Sequence, residues 1–126
     1  CCSKQLMDAA ELLFPDDSFD NVTFFYTLMY MTTEEQQKSI REAARVLKAG
    51  KWMHIWDCDI CSAYPEPFVI DLDIKSGTHK IHTAYGIVKR DAQSSDSIVH
   101  LLENAGLRIE SLQEKDGQFH IQCRKG

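Results

Sequence analysis

Apolar and polar positions along the chain change period several times, and each change marks an element. Phe19 to Tyr26 (FDNVTFFY) carries β-branched and aromatic residues on both parities, the pattern of a strand covered on both faces. Further on, Ile40, Ala43, Ala44 and Leu47 recur at helical spacing. Thr32 with Glu35 three positions later reads as a capping box at the start of that helix, and Gly50 as its stop. Lys51 to Asp57 (KWMHIWD) predicts a second short strand. A strand, a helix and a strand with tight joints form one βαβ unit, so these two strands are expected to run parallel. Upstream, Lys4 to Met7 reads as the stub of a further strand running into Asp8, and Phe14 to Ser18 as a polar turn.

The second half changes period. Phe68, Ile70, Leu72 and Ile74 alternate with Val69, Asp71, Asp73 and Lys75; after Ser76-Gly77 the alternation resumes at Ile81, Thr83, Tyr85 and Ile87. That is a β-hairpin. A second helix follows, with Ile98, Leu101, Leu102 and Ala105 on one face, Ser94 or Ser95 near its cap and Gly106 as its stop. The chain closes with a hairpin of Leu107 to Leu112 and Gln118 to Arg124 around Asp116-Gly117. The expected class is α/β, with parallel strands and an antiparallel edge. It forms one domain over residues 1–126, with residues 64–90 as an inserted hairpin.

Composition narrows the function classes. The chain has 126 residues, 44% of them hydrophobic and 26% charged, which suits one globular core. No apolar run approaches the roughly 20 residues of a membrane span, and no signal-peptide layout precedes the first element, so no membrane partner is expected. Fourteen basic against nineteen acidic residues leave a net charge of −5, the wrong sign for a sequence-independent grip on nucleic acid. Five cysteines (Cys1, Cys2, Cys58, Cys61 and Cys123) form no regular framework, which suits reduced thiols in a cytoplasm.

The informative block runs from Asp8 to Asp57. Asp8-Ala9, Leu13-Phe14-Pro15, Ser18-Phe19-Asp20 and Arg45-Val46-Leu47-Lys48-Ala49-Gly50 follow one another in order and spacing. This block resembles the second half of the class I S-adenosylmethionine-dependent methyltransferases, in particular the group known as methyltransferase type 11. The resemblance implies a Rossmann-like sheet and methyl transfer from S-adenosylmethionine to a small-molecule acceptor. By the same resemblance, Asp8 sits where an acidic residue accepts a hydrogen bond from the adenine amino group, and Ala9 where a backbone N–H reaches a ring nitrogen. A carboxylate suits that task, having acceptors and no donor. Phe25 and Tyr26 fall beside the methionine end of the cofactor, where aromatic faces suit a sulfonium. Because side chains alternate across a strand, at least one of Phe24, Phe25 and Tyr26 is instead expected to pack the core.

Other parts of that family's pattern are missing from this sequence. The six glycines contain no G-x-G, so the phosphate-loop-like turn that holds the cofactor's carboxylate and ribose is not among these residues. The chain therefore reads as the C-terminal portion of a methyltransferase, with little activity expected of it alone. The Phe19–Tyr26 strand would then be an unpaired edge, a route to self-association. A non-catalytic, oligomerising or regulatory module of methyltransferase-like fold is the competing reading.

The remaining candidates are weaker. Catalytic residues are not named by any motif; the candidates are Tyr30, which by the resemblance falls where many relatives carry a His facing the substrate, and His79 and His82 in the inserted hairpin. Cys58-Asp-Ile-Cys61 and His120-Ile-Gln-Cys123 have zinc-like spacing, but strand positions seldom converge tetrahedrally, and no metal is expected. A redox role for the C-x-x-C would need a helix N-terminus, against which Pro65 and Pro67 argue.

Overall fold

A computed structural model describes residues 3–61 and 64–126. Strands β1 (Phe19–Phe25), β2 (Leu47–Cys58), β5 (Leu107–Lys115) and β6 (Gln118–Lys125) form one sheet in the order β1-β2-β6-β5. β1 and β2 run parallel, β2 and β6 antiparallel, and β5 and β6 antiparallel. β3 (Phe68–Ser76) and β4 (His79–Ile87) form a separate antiparallel hairpin, as its period-two pattern predicts.

Helices α1 (Thr33–Val46) and α2 (Ser95–Asn104) cover one face of the sheet. Their apolar stripes, Ile40, Ala43 and Ala44 from α1 and Ile98 and Leu102 from α2, meet Met53, Ile55, Ile121 and Cys123 in a buried core. Both helix starts are capped. Thr32 accepts from the Glu35 N–H (3.2 Å), and Ser94 and Ser97 form a reciprocal capping box. The opposite face of the sheet carries Trp52, His54, Trp56 and His120, stacked in sequence, with Arg124 over the Trp52 ring at 4.3 Å.

Three expectations are corrected. Lys4–Met7 is not a strand, because no neighbouring strand pairs with it; a backbone that short gains nothing from extension without a ladder. Gly50 does not stop the helix. α1 ends at Val46 and Leu47 is already extended, while Gly50, at φ +76°, lies inside β2. There the register jumps from Phe19↔Leu47 to Asn21↔Trp52, so the glycine takes up the extra residues of a bulge. β1 is not covered on both faces. Phe24 is 8% exposed beneath the helices, whereas Phe25 is 66% exposed on the other side, since the described helices lie on one face only and β1 is an edge.

Candidate functional site

In an open α/β sheet, ligands bind outside the carboxyl ends of the parallel strands. Here those ends are Phe25 and Cys58, and the chain leaves both by tight local structure. Tyr26 takes a left-handed backbone (φ +51°), a conformation that costs a bulky residue about 1–3 kcal/mol. Its N–H donates to Trp56 O (2.8 Å) and its hydroxyl to Gln118 Oε1 (3.2 Å), which hold it there. A 3-10 turn, Leu28–Tyr30, follows with Leu28 and Met29 buried.

That turn is tied to β2 by Asp57, whose side chain is 0% exposed. The carboxylate accepts from Met29 N (3.3 Å), Cys58 N (2.9 Å) and Gln93 Nε2 (2.9 Å). Gln93 Nε2 also reaches Cys58 O (2.8 Å), and Gln93 Oε1 takes a bond from Gln36 Nε2 (2.7 Å), which also serves Leu28 O (2.8 Å). Four segments thus share one buried polar knot, in which each partner answers another. Burial pushes the Asp57 carboxyl above its ordinary value, against the hydrogen bonds, which favour the charged form.

Over this end lies the β3–β4 hairpin, seated through Phe68, Ile70, Tyr85 and Ile87 on Met29, Ile60 and Tyr26. Between hairpin and strand ends is a cavity of about 400 Å³ lined by Phe25, Tyr26, Cys58, Ile70, Leu72, Tyr85 and Gln118. Its titratable groups are all held protonated. Burial first, then nearby Asp57 and Asp59, push the Cys58 thiol up to about 11; burial, with smaller charge effects, raises the Tyr26 and Tyr85 phenols. These side chains therefore offer hydrogen-bond donors, and none is a ready base at neutral pH. Tyr30 stacks on Tyr85 at 6.5 Å and lines a second cavity of about 290 Å³ with Thr32, Tyr64 and Lys89. Lys89 donates to Met31 O, and its burial lowers its pKa.

The amino-terminal segment is held by the end of α1. Arg45 donates to Phe14 O (2.8 Å), Leu12 O (2.9 Å), Asp16 (2.8 Å) and Glu42 (2.9 Å), while Glu42 accepts from Leu12 N (2.9 Å). Asp8 turns back on itself, accepting from Ala10 N (2.9 Å), and this leaves its other oxygen uncommitted to that turn. Of the residues expected at a cofactor site, Phe25 and Tyr26 line one cavity together; Asp8 and Ala9 line neither it nor the cavity at the amino end of β1.

Among the catalytic candidates, Tyr30 lies beside the strand ends, as above. His82 is on the hairpin's outward face between Asp73 (2.7 Å) and Asp71 (3.7 Å), and His79 sits at the hairpin turn, exposed. Cys58, Cys61, His120 and Cys123 do not converge, and among the described residues no group of three or more acidic, histidine or cysteine side chains could hold a metal. Cys1 and Cys2 lie outside the described residues. Sequence reading missed Gln36, Asp57 and Gln93 as a set. The available signal was a carboxylate at the buried end of an apolar strand; its two glutamine partners, 21 and 36 residues away, had none.

The comparisons with known proteins bear on the fold. A family model described as a methyltransferase domain matches residues 2–55, a stretch from before Asp8 to within β2. A structure of an S-adenosylmethionine-dependent methyltransferase from Clostridium acetobutylicum superposes with a TM-score of 0.66 at 14% identity, covering 97% of this chain and 64% of that one. The chain has the class I S-adenosylmethionine-dependent methyltransferase fold. An S-adenosylmethionine-dependent methyltransferase from Methanosarcina mazei gives 0.64 at 17% identity over 96% of this chain and 66% of its own. The [4+2]-cyclase SpnF also gives 0.64, at 16% identity, with 96% of this chain and 54% of that chain covered. No curated protein sequence matches. This methyltransferase-fold chain thus spans less than two thirds of the length of these solved relatives. No helix among its described residues is long and apolar enough to cross a membrane.

Proposed function

We propose that the protein transfers the methyl group of S-adenosylmethionine to a small-molecule acceptor at the carboxyl ends of β1 and β2. The observation that supports this is the cavity between those ends and the hairpin, walled by Phe25 and Tyr26, the residues that the resemblance sets beside the methionine end of the cofactor. The group fits in part. An aromatic wall attracts the sulfonium and excludes water; Asp8 and Ala9, which the resemblance sets at the adenine edge, do not line this cavity. The ribose and carboxylate contacts belong to a glycine-rich turn that these residues do not include.

S-adenosylmethionine supplies an electrophilic methyl; the chain's residues hold the acceptor in line with it and keep the site dry. No lining group is a base, so an acceptor that loses a proton would lose it to water or arrive ionised. Binding by these 126 residues should be weak, because they include no glycine-rich turn for the ribose and carboxylate. The edge position of β1 among the described residues favours the competing reading, a non-catalytic module that self-associates. The −5 charge speaks against nucleic acid, and the cysteines among the described residues, all free thiols, suit a cytoplasmic setting.

The test is calorimetric titration of the chain with S-adenosylhomocysteine, with its mass recorded in the same buffer. Binding that weakens at least fivefold in Asp8→Ala supports the site. Equal affinity in that variant would remove Asp8 from it, and no heat at all with a stable dimer would favour the associating module.

A further inference from the structure

The sheet face opposite the helices carries a further cavity at its carboxyl end. Strand register sets cross-strand partners there in rows: Phe25, Trp56, His120 and Gln113 form one row, and Cys58, Gln118 and Lys115 the next. Beside the β5–β6 turn these rows wall a space of about 400 Å³, within the range of small-molecule sites, roughly 300–1,000 Å³. Tyr26 and Gln118 line both this space and the cavity under the hairpin, so their hydrogen bond (3.2 Å) stands where the two adjoin. The Tyr30 cavity shares no lining residue with either.

Two features of the lining select a ligand. The first is flat aromatic surface: Trp56 and His120 stack at 4.3 Å and 9°, and the Phe25 ring meets Trp56 at 5.9 Å. The second is a pair of opposite charges. Lys115 and Asp116 are neighbours in the chain and line the same cavity, yet among the described residues neither side chain has an ion-pair or hydrogen-bond partner. Successive side chains of a strand point to opposite faces; the left-handed backbone of Asp116 (φ +54°), in the turn, lets both reach one space. His120 adds no charge at neutral pH, since burial and then His54 hold its pKa below 6.5. A ligand of one sign would pair with one of the two charges and be repelled by the other. A ligand that carries both signs beside a flat ring matches the whole lining.

Resting on the methyl-transfer reading above, we propose that this cavity seats the acceptor, and that the acceptor is a zwitterionic aromatic compound of the aromatic α-amino acid class. Its ring lies against Trp56 and His120, its carboxylate pairs with Lys115 and its ammonium with Asp116. Tyr26 and Gln118 mark its border with the transfer cavity.

Three probes share one ring and one carbon chain: L-phenylalanine, 3-phenylpropionate and 2-phenylethylammonium. Each is titrated into the full chain at pH 7 and followed by the NMR resonances of Trp56 and His120. An exposed ion pair contributes up to about fivefold in affinity, so phenylalanine should bind roughly threefold or more tightly than either singly charged probe. Lys115→Ala should bring phenylalanine to the level of 2-phenylethylammonium. Asp116→Asn, which keeps a residue suited to the turn, should bring it to that of 3-phenylpropionate. Circular dichroism of both variants checks that the fold is intact. A singly charged probe binding as tightly as phenylalanine, unchanged affinity in both variants, or no shift at Trp56 and His120 would each overturn the proposal. S-adenosylhomocysteine, which has an amino-acid end of its own, should not displace phenylalanine; displacement would give the cavity to the cofactor and overturn the acceptor role. Loss of S-adenosylhomocysteine binding with the probe order kept would sink the methyl-transfer reading instead and leave an aromatic amino-acid site.

Discussion

Asp57→Ala removes the centre of the buried polar knot and should unfold the carboxyl end of the sheet first. Three N–H donors lose their acceptor, from Met29 (3.3 Å), Cys58 (2.9 Å) and Gln93 (2.9 Å). A buried donor left unmatched costs about 1–3 kcal/mol. Taking the lower end for each, because one bond is long and the backbone can relax, gives a gross cost of about 3 kcal/mol. Against this, the variant no longer carries a carboxylate that burial disfavours, which offsets part of it. A net loss of about 2 kcal/mol is expected at pH 7, or about 6–10 °C in Tm for a chain of this size. The assay is urea unfolding followed by the fluorescence of Trp52 and Trp56, which lie on the same strand. The sign with pH is also fixed. Asp57 titrates above its ordinary 3.8 in the fold, so the protonated form is favoured there, and its stabilising effect is complete below 3.8 and declines as pH rises through the folded value. The cost of Asp57→Ala should therefore be larger at pH 4 than at pH 7. A loss below about 0.5 kcal/mol at pH 7, or a cost that grows with pH, would refute the knot as the feature that holds this end together.

The Arg45 clamp gives a second outcome. Arg45→Ala should speed amide exchange across residues 12–18 and leave the Trp-reported core unchanged, since its bonds reach only that segment and α1. Hydrogen bonding from Arg45 holds Glu42 below its ordinary 4.5, so the clamp is complete above that value and is lost as pH falls through the lower, folded one; protease sensitivity of the segment should rise there. Among the described cysteines, native alkylation should mark exposed Cys61 well before Cys58 or Cys123, whose thiols burial pushes up to about 11 and about 12; equal labelling of all three, read by mass spectrometry, would contradict the packing. His120 should titrate below 6.5 by NMR, because burial and His54 at 3.4 Å both oppose its charge, and the fold should lose stability as pH drops from 6.5 through that value.

The sequence was most readable where one physical rule governed a whole element. The Phe68–Ile87 alternation, the Asp116-Gly117 turn and the Ile40/Ala43/Ala44 stripe all appear as read, since pattern and burial coincide there. Gly50 was misplaced because a positive-φ glycine serves a helix end and a bulge equally well, and only the partner strand decides. FDNVTFFY was read as doubly covered because composition shows what a strand could bury, not which layers are present to bury it. Phe25 and Tyr26, which the order of motifs sets beside a cofactor, line the cavity at the strand ends. Ile70, Leu72, Tyr85 and Gln118 had no such signal, because they reach it from a hairpin and a closing strand whose approach is set by tertiary packing.

The central claim is that the carboxyl ends of β1 and β2 form the transfer site. Residue-resolved NMR of the labelled chain during titration with S-adenosylhomocysteine tests it most directly, since even weak binding moves resonances. The account predicts saturable shifts at Asp8, Ala9, Phe25 and Tyr26, with the Trp52–His54 face unmoved. Shifts confined to that opposite face, or none at Phe25 and Tyr26 when binding is saturated, would contradict it.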